Sequence, residues 1–335
     1  MAAESAHIPE PDHLFDTLKA YESPLTDVKA VAVAVSGGPD SLSLLWLLCQ
    51  QKRYDFKIHA LIIDHGLRTE AHEEARRVSK QVSAWGNVEA HILRWEGVKP
   101  DAAVQEAART ARYDLMEEYC KAHGIHHLFL GHHRDDLAET VLFRLAKGSG
   151  LDGLSGIRPV QAYSEHLVLL RPLLDCPKQA LVELCDKNGI AFVHDPSNEK
   201  EEFARVRLRR SAEVLSEEGL SPKRLAVTAK RINRAREALE FYAEEAQKDC
   251  ALEKKSKRIE YNFKKLQSYP EETVFRVVMA AFSHFNPQAD YAPRMEKVEA
   301  LVYDLISTEH FRKRTLGGVV FERNDTQDIL ILTQE

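Results

Sequence analysis

The sequence lacks long apolar runs and paired cysteines. Its 335 residues contain no uncharged apolar stretch close to the roughly 18–20 residues that span a bilayer, and four acidic residues occur among the first twenty. We therefore expect neither a membrane-spanning helix nor a signal peptide. The five cysteines form no CxxC pair, and an odd number cannot all pair within one chain. A reducing cytoplasm is the expected location.

Glycine and proline are also few, at 15 and 13 residues, while apolar residues make up 44% of the chain. This composition excludes collagen-like, low-complexity and disordered proteins. The net charge of −6 argues only weakly against a nucleic-acid partner, because a global sum hides local basic patches. The length fits roughly two domains of ordinary size.

Strand-like and helix-like segments alternate in the first part of the chain. Short β-branched apolar runs without polar alternation are typical of strands that are covered on both faces, as in a parallel sheet. The fold class predicted from this alternation is α/β, with a doubly wound parallel sheet. The predicted strands are 28–35, 56–64, 88–93, 127–130, 167–170 and 190–194.

After Pro222, apolar residues recur at three- and four-residue spacing, which predicts helices without intervening strands. The predicted organisation is an N-terminal extension or helix (1–27), a catalytic α/β domain (28–211) and a smaller, mainly helical domain (212–335). A short β-like tail is expected at 315–333.

The segment SGGPDS at 36–41 lies between a buried strand and an apolar helix. Consecutive backbone N–H groups and a helix N-terminus can hold an anionic group there, although an ordinary strand-to-helix turn is the alternative. Glycines permit close backbone approach, serine hydroxyls can donate hydrogen bonds, and the aspartate can hold a divalent cation. The predicted phosphate-binding residues are Ser36, Gly37, Gly38, Pro39, Asp40 and Ser41.

This loop resembles the pyrophosphatase loop (PP-loop) of the N-type ATP pyrophosphatases, which cleave ATP between its α- and β-phosphates. Further motifs follow in order: DHGLR (64–68), ARTARYDLM (108–116), GHHRDDLAET (131–140), KGSGLDGLSGI (147–157), RPLL (171–174) and DPSNEKEEFARVRLRR (195–210). Together they resemble the tRNA(Ile)-lysidine synthase family over about residues 30–210. The sequence shows an Arg205–Val206 pair where that family usually has Arg-Asn.

The resemblance implies an adenine nucleotide α-hydrolase-like fold that uses ATP and Mg²⁺. It implies a ligase that adenylates C2 of the wobble cytidine in the minor isoleucine tRNA with a CAU anticodon. The ε-amine of lysine then displaces AMP to give lysidine. No membrane partner is expected, and a homodimer is left open.

Adenylation requires a metal-binding carboxylate and cationic donors near the α-phosphate. Asp40 and Arg112 are the candidates, although Arg112 could equally form a surface ion pair. The lysine ammonium must then be oriented and lose a proton, which nearby carboxylates favour. Asp136 and Glu139 are three residues apart on a predicted helix, and the resemblance places lysine binding and catalysis on them. Asp135 is the expected helix cap.

Residues that end predicted strands are candidates for adenosine contacts or for capping the sheet edge. These residues are Asp64, His65, Gly131 and His132. Histidines beside carboxylates would also suit zinc or iron. Because adjacent histidines at a strand terminus point in different directions, zinc is not expected. Because the cysteines are scattered, an iron–sulfur cluster is not expected either.

Two segments are candidates for tRNA binding. The glycine-rich loop 147–157, with Gly148, Gly150 and Gly153, is either a flexible connector or a place where a flipped nucleotide approaches, and the resemblance favours the second. Between residues 203 and 236 there are ten basic and three acidic residues. Such a segment is either a solvated helix face or a footprint for a phosphate backbone. The predicted tRNA contacts there are Arg205, Arg207 and Arg209.

Two other functions remain open from the residues. A PP-loop tRNA thiolase would need paired cysteines to relay sulfur or to hold an iron–sulfur cluster, and the scattered cysteines disfavour it. A non-catalytic, nucleotide-dependent RNA-binding module would retain tRNA but would release no pyrophosphate.

Overall fold

A computed structural model describes residues 10–21, 25, 27–66, 70–97, 104–193, 212–286 and 293–335. The chain forms two compact units, Met1–Arg231 and Ile232–Glu335. The domain boundary predicted between residues 211 and 212 adjoins residues outside the described ranges and stays a prediction. None of the helices in those ranges combines the length and apolar character of a membrane span.

The first unit contains a six-stranded sheet in the order β3-β2-β1-β4-β6-β5. Its neighbouring strands pair in parallel, except that β5 pairs antiparallel to β6 at the edge. The predicted α/β class with a parallel sheet is confirmed. The strands are β1 (Ala30–Val35), β2 (Lys57–Asp64), β3 (Val88–Arg94), β4 (His127–Phe129), β5 (Val160–Ala162) and β6 (Val168–Leu170).

The first unit also contains the helices α1 (Pro39–Gln50), α2 (Ala71–Ser83), α3 (Val104–Ala122), α4 (Arg134–Ala146), α5 (Leu151–Leu154), α6 (Lys178–Lys187) and α7 (Ala212–Glu217). Helix α1 is buried almost all round, with apolar residues at consecutive positions, as expected of a central helix. It packs with α2 and α6 on one face of the sheet, whereas α3 covers the other face.

Two strand predictions differ from the structure. Residues 190–193 form no strand; instead, Ile190 packs into the core and the backbone N–H of Val193 donates to the carbonyl of Gly37 (2.9 Å). Strand β5 was not predicted, because its residues are exposed or only partly buried and lack an apolar pattern. The predicted strand 190–194 is therefore wrong for its described residues.

The described N-terminal residues form two 3-10 turns, Pro11–His13 and Asp16–Tyr21. Leu14, Phe15 and Leu18 are buried in the main core of the first unit. Their side chains thus extend that core, which the sequence did not indicate for residues 1–27.

The second unit contains a five-stranded antiparallel sheet in the order β7-β8-β11-β10-β9. Its core combines this sheet with the helices that follow the long helix α8. The predicted helices are present, but the sheet is larger than the predicted tail because it includes the hairpin β7–β8. The elements are α8 (Pro222–Cys250), β7 (Ala251–Lys255), β8 (Arg258–Asn262), α9 (Phe263–Leu266), α10 (Glu271–Phe285), α11 (Met295–Ser307), β9 (Arg314–Leu316), β10 (Val319–Asn324) and β11 (Ile329–Gln334).

Candidate active site

The loop between β1 and α1 lies at the carboxyl edge of the parallel sheet, where open α/β sheets bind ligands. Gly37 has a φ of +82°, and a Cβ atom there would lie 2.7 Å from the Val78 side chain on α2. Only glycine fits that position without displacing α2. Gly131, two residues after β4, packs almost as closely, since its Cβ would lie 3.0 Å from the backbone of Asp40.

Two serines hold this loop in shape. The backbone N–H of Ser36 donates to Ser41 Oγ (3.1 Å), and Ser41 Oγ donates to the carbonyl of Gly38 (3.1 Å). The two hydroxyl oxygens are 3.2 Å apart. Gly38 is the N-cap of α1, with no side chain over the helix terminus. The first backbone N–H groups of α1 are therefore available to an anion.

His133 lies at the centre of an acidic cluster beside this loop. Its ring is 3% exposed, and its Nε2 lies 3.6 Å from Asp40 Oδ2 and 3.4 Å from Asp136 Oδ2. Its Nδ1 lies 3.6 Å from Asp135 Oδ2. Three carboxylates thus surround one buried imidazole.

Burial alone lowers the pKa of His133, but Asp135, Asp40 and Asp136 outweigh burial and raise that pKa to about 10. The Asp136 N–H lies 3.4 Å from His133 Nδ1, which could accept it only if the ring were neutral. The surrounding carboxylates favour the cation instead. Burial, assisted by the charges of Glu139 and Asp40, raises the pKa of Asp136 despite the opposing charge of His133.

The predicted cap of α4 is wrong. His133 occupies the N-cap position, and its backbone N–H donates to Asp136 Oδ2 (3.1 Å). Asp135 instead accepts a hydrogen bond from the backbone N–H of Lys178 (2.9 Å), at the start of α6. Asp135 therefore connects two helices that border the site.

A cationic cluster lies around the neighbouring histidine. Arg171 is 4% exposed, and its Nε donates to His132 Nδ1 (3.3 Å). Burial, together with the charges of Arg171, Arg109 and Arg112, lowers the pKa of His132 to about 3. The ring of His132 is therefore neutral at physiological pH.

Arg112 is not a surface ion-pair residue. Its Nε is buried and has no hydrogen-bond partner among the described residues. Burial lowers its pKa, and its guanidinium lies 5.3 Å from the ring centroid of Tyr113. Within the described part of the chain no carboxylate pairs with Arg109, Arg112 or Arg171. These arginines thus form an uncompensated cationic surface that suits a phosphate.

Asp64, at the end of β2, is 1% exposed and has several partners. It accepts the backbone N–H of Gly66 (3.0 Å), lies 3.0 Å from His72 Nδ1 and pairs with Arg94 at 3.5 Å. Burial opposes these contacts, which together lower its pKa. Through these contacts, Asp64 holds the residues that follow β2 in place. The ring of His65 meets Trp95 edge-on, and nucleotide contacts of Asp64, His65 and His132 stay predictions.

The glycine-rich loop is anchored rather than a loose connector. Arg144 Nη1 donates to the carbonyls of Gly153 (2.8 Å) and Gly156 (3.1 Å). Gly150 is the N-cap of the short helix α5, and Gly148 has a φ of +69°. A Cβ at Gly153 would lie 2.6 Å from the Ser149 side chain. The loop therefore presents a fixed, small-residue surface next to α4.

The predicted basic tRNA surface stays a prediction. Arg205, Arg207 and Arg209 lie outside the described residues. Lys230 pairs with Asp175 (2.6 Å), and the 4% exposed Arg236 pairs with Glu240 (2.5 Å). Some positive charge counted in this segment is therefore neutralised within the protein.

Comparison with known proteins agrees with this geometry. The PP-loop domain family matches residues 12–216. A tRNA(Ile)-lysidine synthase from a Bradyrhizobium species is 37% identical over 308 residues, covering 89% of this chain and 83% of the relative. One from Rhodopseudomonas palustris is 37% identical and covers 90% of each chain. The chain belongs to the tRNA(Ile)-lysidine synthase family. The resemblance inferred from the motifs is confirmed.

A solved structure outside the lysidine synthase family is similar in fold. It is described as the U34-tRNA thiolase NcsA from Methanococcus maripaludis with its [4Fe-4S] cluster. The TM-score is 0.54 at 18% identity, covering 67% of this chain and 77% of the thiolase. In this chain the five cysteines are free, and burial raises the pKa of each thiol. The likeness therefore concerns the fold alone.

Three features of the candidate site in this lysidine synthase family member are not predicted from the sequence. The sequence indicates His133 only as a possible metal ligand, whereas three carboxylates surround its ring and favour the cation. Arg171 lay in the quoted RPLL motif without a role. Arg144 holds the glycine-rich loop. The RPLL motif could have indicated Arg171, but the charge of His133 depends in part on Asp40, which lies in a separate segment of the chain.

Proposed function

We propose that this protein joins lysine to C2 of the wobble cytidine of the minor isoleucine tRNA with a CAU anticodon. ATP first adenylates the cytidine and releases pyrophosphate; the ε-amine of lysine then displaces AMP, and lysidine is formed. The observation that supports this best is that two oppositely charged clusters lie side by side at the candidate site. The cationic part contains Arg109, Arg112 and Arg171 around His132. The acidic part contains Asp40, Asp135 and Asp136 around His133. One part suits a nucleotide, and the other suits a lysine ammonium.

The cationic part and the loop Ser36–Ser41 would bind ATP. Backbone N–H groups at the start of α1 would hold phosphate oxygens, and Arg112 would neutralise the α-phosphate as negative charge develops. Asp40 fits Mg²⁺, because its Oδ1 is buried and has no hydrogen-bond partner among the described residues. A bound Mg²⁺ would supply further charge neutralisation on the phosphates.

The acidic part would orient lysine. Asp136 and Glu139 lie in the first turns of α4, and the influence of Glu139 on the pKa of Asp136 indicates that their charges interact. A carboxylate of raised pKa is a better general base than an ordinary aspartate. Asp136 would therefore accept the ammonium proton before the amine attacks C2.

The glycine-rich loop would receive the anticodon base, with Gly148, Gly150 and Gly153 permitting close approach of the nucleotide. Arg205, Arg207 and Arg209 would bind the tRNA backbone. Because ATP, tRNA and lysine meet in the cytoplasm, we place the reaction there. A homodimer stays open, and gel filtration of the purified protein tests it.

The experiment measures tRNA-dependent pyrophosphate release and incorporation of labelled lysine into a minor isoleucine tRNA transcript. We expect Asp136→Asn and Glu139→Gln each to reduce lysine incorporation by about 100-fold or more. The exposed Glu165→Gln is the matched control and should retain wild-type rates.

The outcomes separate the alternatives. Pyrophosphate release without lysine label would favour another nucleophile, such as the sulfur of a thiolase. Retention of tRNA without pyrophosphate release would favour a non-catalytic binding module. Wild-type lysine incorporation by Asp136→Asn would contradict the proposed role of the acidic part.

A further inference from the structure

Three metal-ligating side chains meet on the first unit, outside the candidate active site. His59 of β2 lies opposite Glu89 of β3 in the parallel register, and His91 follows two residues later on the same face of β3. Leu61 of β2 and Leu93 of β3 lie two residues after His59 and His91 on the same face of the sheet, and they pack in the core beneath α3. His59 is five residues before the strand end at Asp64, a separation of about 16 Å along the strand.

The donor atoms of the three side chains converge. His59 Nε2 lies 4.0 Å from Glu89 Oε2, and His91 Nε2 lies 3.9 Å from the same oxygen. All three donor atoms lie within 4.8 Å of one another. His91 Nε2 is buried and makes no hydrogen bond within the described residues. Lys57 Nζ pairs with the other oxygen, Oε1, at 2.5 Å and leaves Oε2 facing the two rings.

The surroundings orient the histidines as ligands. His59 Nδ1 lies 2.9 Å from the Tyr119 hydroxyl, so that a proton on Nδ1 leaves Nε2 with a lone pair directed towards Glu89. His59 is buried and His91 is partly buried, and imidazole nitrogens are common metal ligands.

We propose that His59, Glu89 and His91 form a binding site for a divalent transition-metal ion, with Zn²⁺ as the best fit. Two imidazoles and one carboxylate are an established zinc ligand set, with water in the fourth position. Zinc bonds of about 2.0–2.1 Å in a tetrahedron place donor atoms about 3.3 Å apart. The two nitrogen-to-oxygen separations need to contract by about 0.6–0.7 Å, and the separation between the two histidine nitrogens by at most about 1.5 Å, which side-chain rotation provides.

The site would connect the edge strand β3 to β2 and, through the Tyr119 hydroxyl, to α3. A metal-bound histidine is typically held by a hydrogen bond from its other nitrogen, and the Tyr119 hydroxyl lies 2.9 Å from His59 Nδ1, where it would accept that bond. Because the ion would lie at the amino-terminal half of the strands, its role is to stabilise this edge. It takes no part in lysine ligation.

The test titrates untagged, metal-free protein with Zn²⁺ against a fluorescent chelator, with Mg²⁺ present throughout. We expect one equivalent to bind, and we expect His91→Gln and Glu89→Gln each to weaken binding at least tenfold. His126→Gln removes an exposed histidine of the same unit and should bind as the wild type does. Tyr119→Phe retains all three donors and should weaken binding through the orientation of His59.

The unfolding midpoint of each variant shows whether the variant is folded. The visible absorption of bound Co²⁺ reports the coordination geometry of the site. Co²⁺ in the wild type should give the intense visible bands of a tetrahedral site, and His91→Gln should abolish them. The proposal is overturned if the wild type takes up no stoichiometric zinc, or if His91→Gln binds as tightly as the wild type. Loss of binding in Asp40→Asn, with the three ligands intact, would place the ion at the active site and overturn it equally.

Discussion

At the scale of single residues, the charge state of His133 governs the acidic part of the active site. Its pKa of about 10 exceeds the value of about 6.5 expected in the unfolded chain. Since the pKa is raised by folding, the protonated ring stabilises the fold fully below about pH 6.5. That stabilisation is lost as the pH rises towards 10.

We therefore expect His133→Gln to destabilise the first unit by about 3 kcal/mol near pH 6, because three partly buried carboxylates lose their cation. The difference from the wild type should shrink steadily between pH 6.5 and 10. Urea unfolding at several pH values measures it, and the exposed His126→Gln is the control. A difference that stays constant over this range would show that His133 acts by packing alone.

Arg112 allows a second prediction at this scale. A guanidinium presents a planar fork to a phosphate, whereas lysine presents a point charge. We expect Arg112→Ala to reduce tRNA-dependent pyrophosphate release by about 100- to 1,000-fold, and Arg112→Lys to restore only part of it. Steady-state assays measure both, with the exposed Lys187→Ala as the control. Full activity of Arg112→Lys would show that charge alone is needed.

At the scale of elements, the glycine-rich loop and α4 are fitted to each other. Gly156 and Gly148 both have positive φ values, +73° and +69°. A Cβ at Gly156 would lie 2.4 Å from Leu137 Cδ1, next to Asp136 on α4, while a Cβ at Gly148 would meet nothing within 4 Å. The two positions share backbone strain but differ in packing.

Alanine substitution separates these two costs. Gly148→Ala should lose about 1 kcal/mol of unfolding free energy, from the left-handed backbone alone. Gly156→Ala should lose about 3 kcal/mol, because the new methyl also displaces Leu137. Urea unfolding gives both values, and lysine incorporation should fall further in Gly156→Ala. Equal losses in the two variants would show that the loop moves away from α4 without cost.

Some secondary-structure elements could be predicted from the sequence, and others could not. Strands β1 and β2 are buried on both faces, so their apolar runs are visible in the sequence. The hairpin β7–β8 is mostly exposed, and its charged residues conceal the alternation at Ile259 and Tyr261. The cap of α4 could not be predicted, because Asp135 is diverted to Lys178, 43 residues further along the chain. Local patterns predict elements, whereas the pairing of charges depends on the fold.

At the scale of the whole molecule, the two compact units have separate hydrophobic cores. The cores around β1–β6 draw their residues from positions up to Ala229, whereas the core around β7–β11 begins at Ala246. Each core can therefore melt while the other stays intact, although α8 contributes residues to both. The loop Ser36–Ser41 and the acidic cluster around His133 both belong to the first unit.

Calorimetry should accordingly resolve two unfolding transitions, of which only one depends on nucleotide. A ligand at 100 times its dissociation constant stabilises its own unit by about 2.7 kcal/mol, which raises that Tm by about 5–10 °C. We expect ATP with Mg²⁺ to shift the transition of the first unit and to leave the second in place. Asp40→Asn should abolish the shift without merging the transitions. A single transition that moves as a whole would mean that α8 couples the units into one cooperative structure.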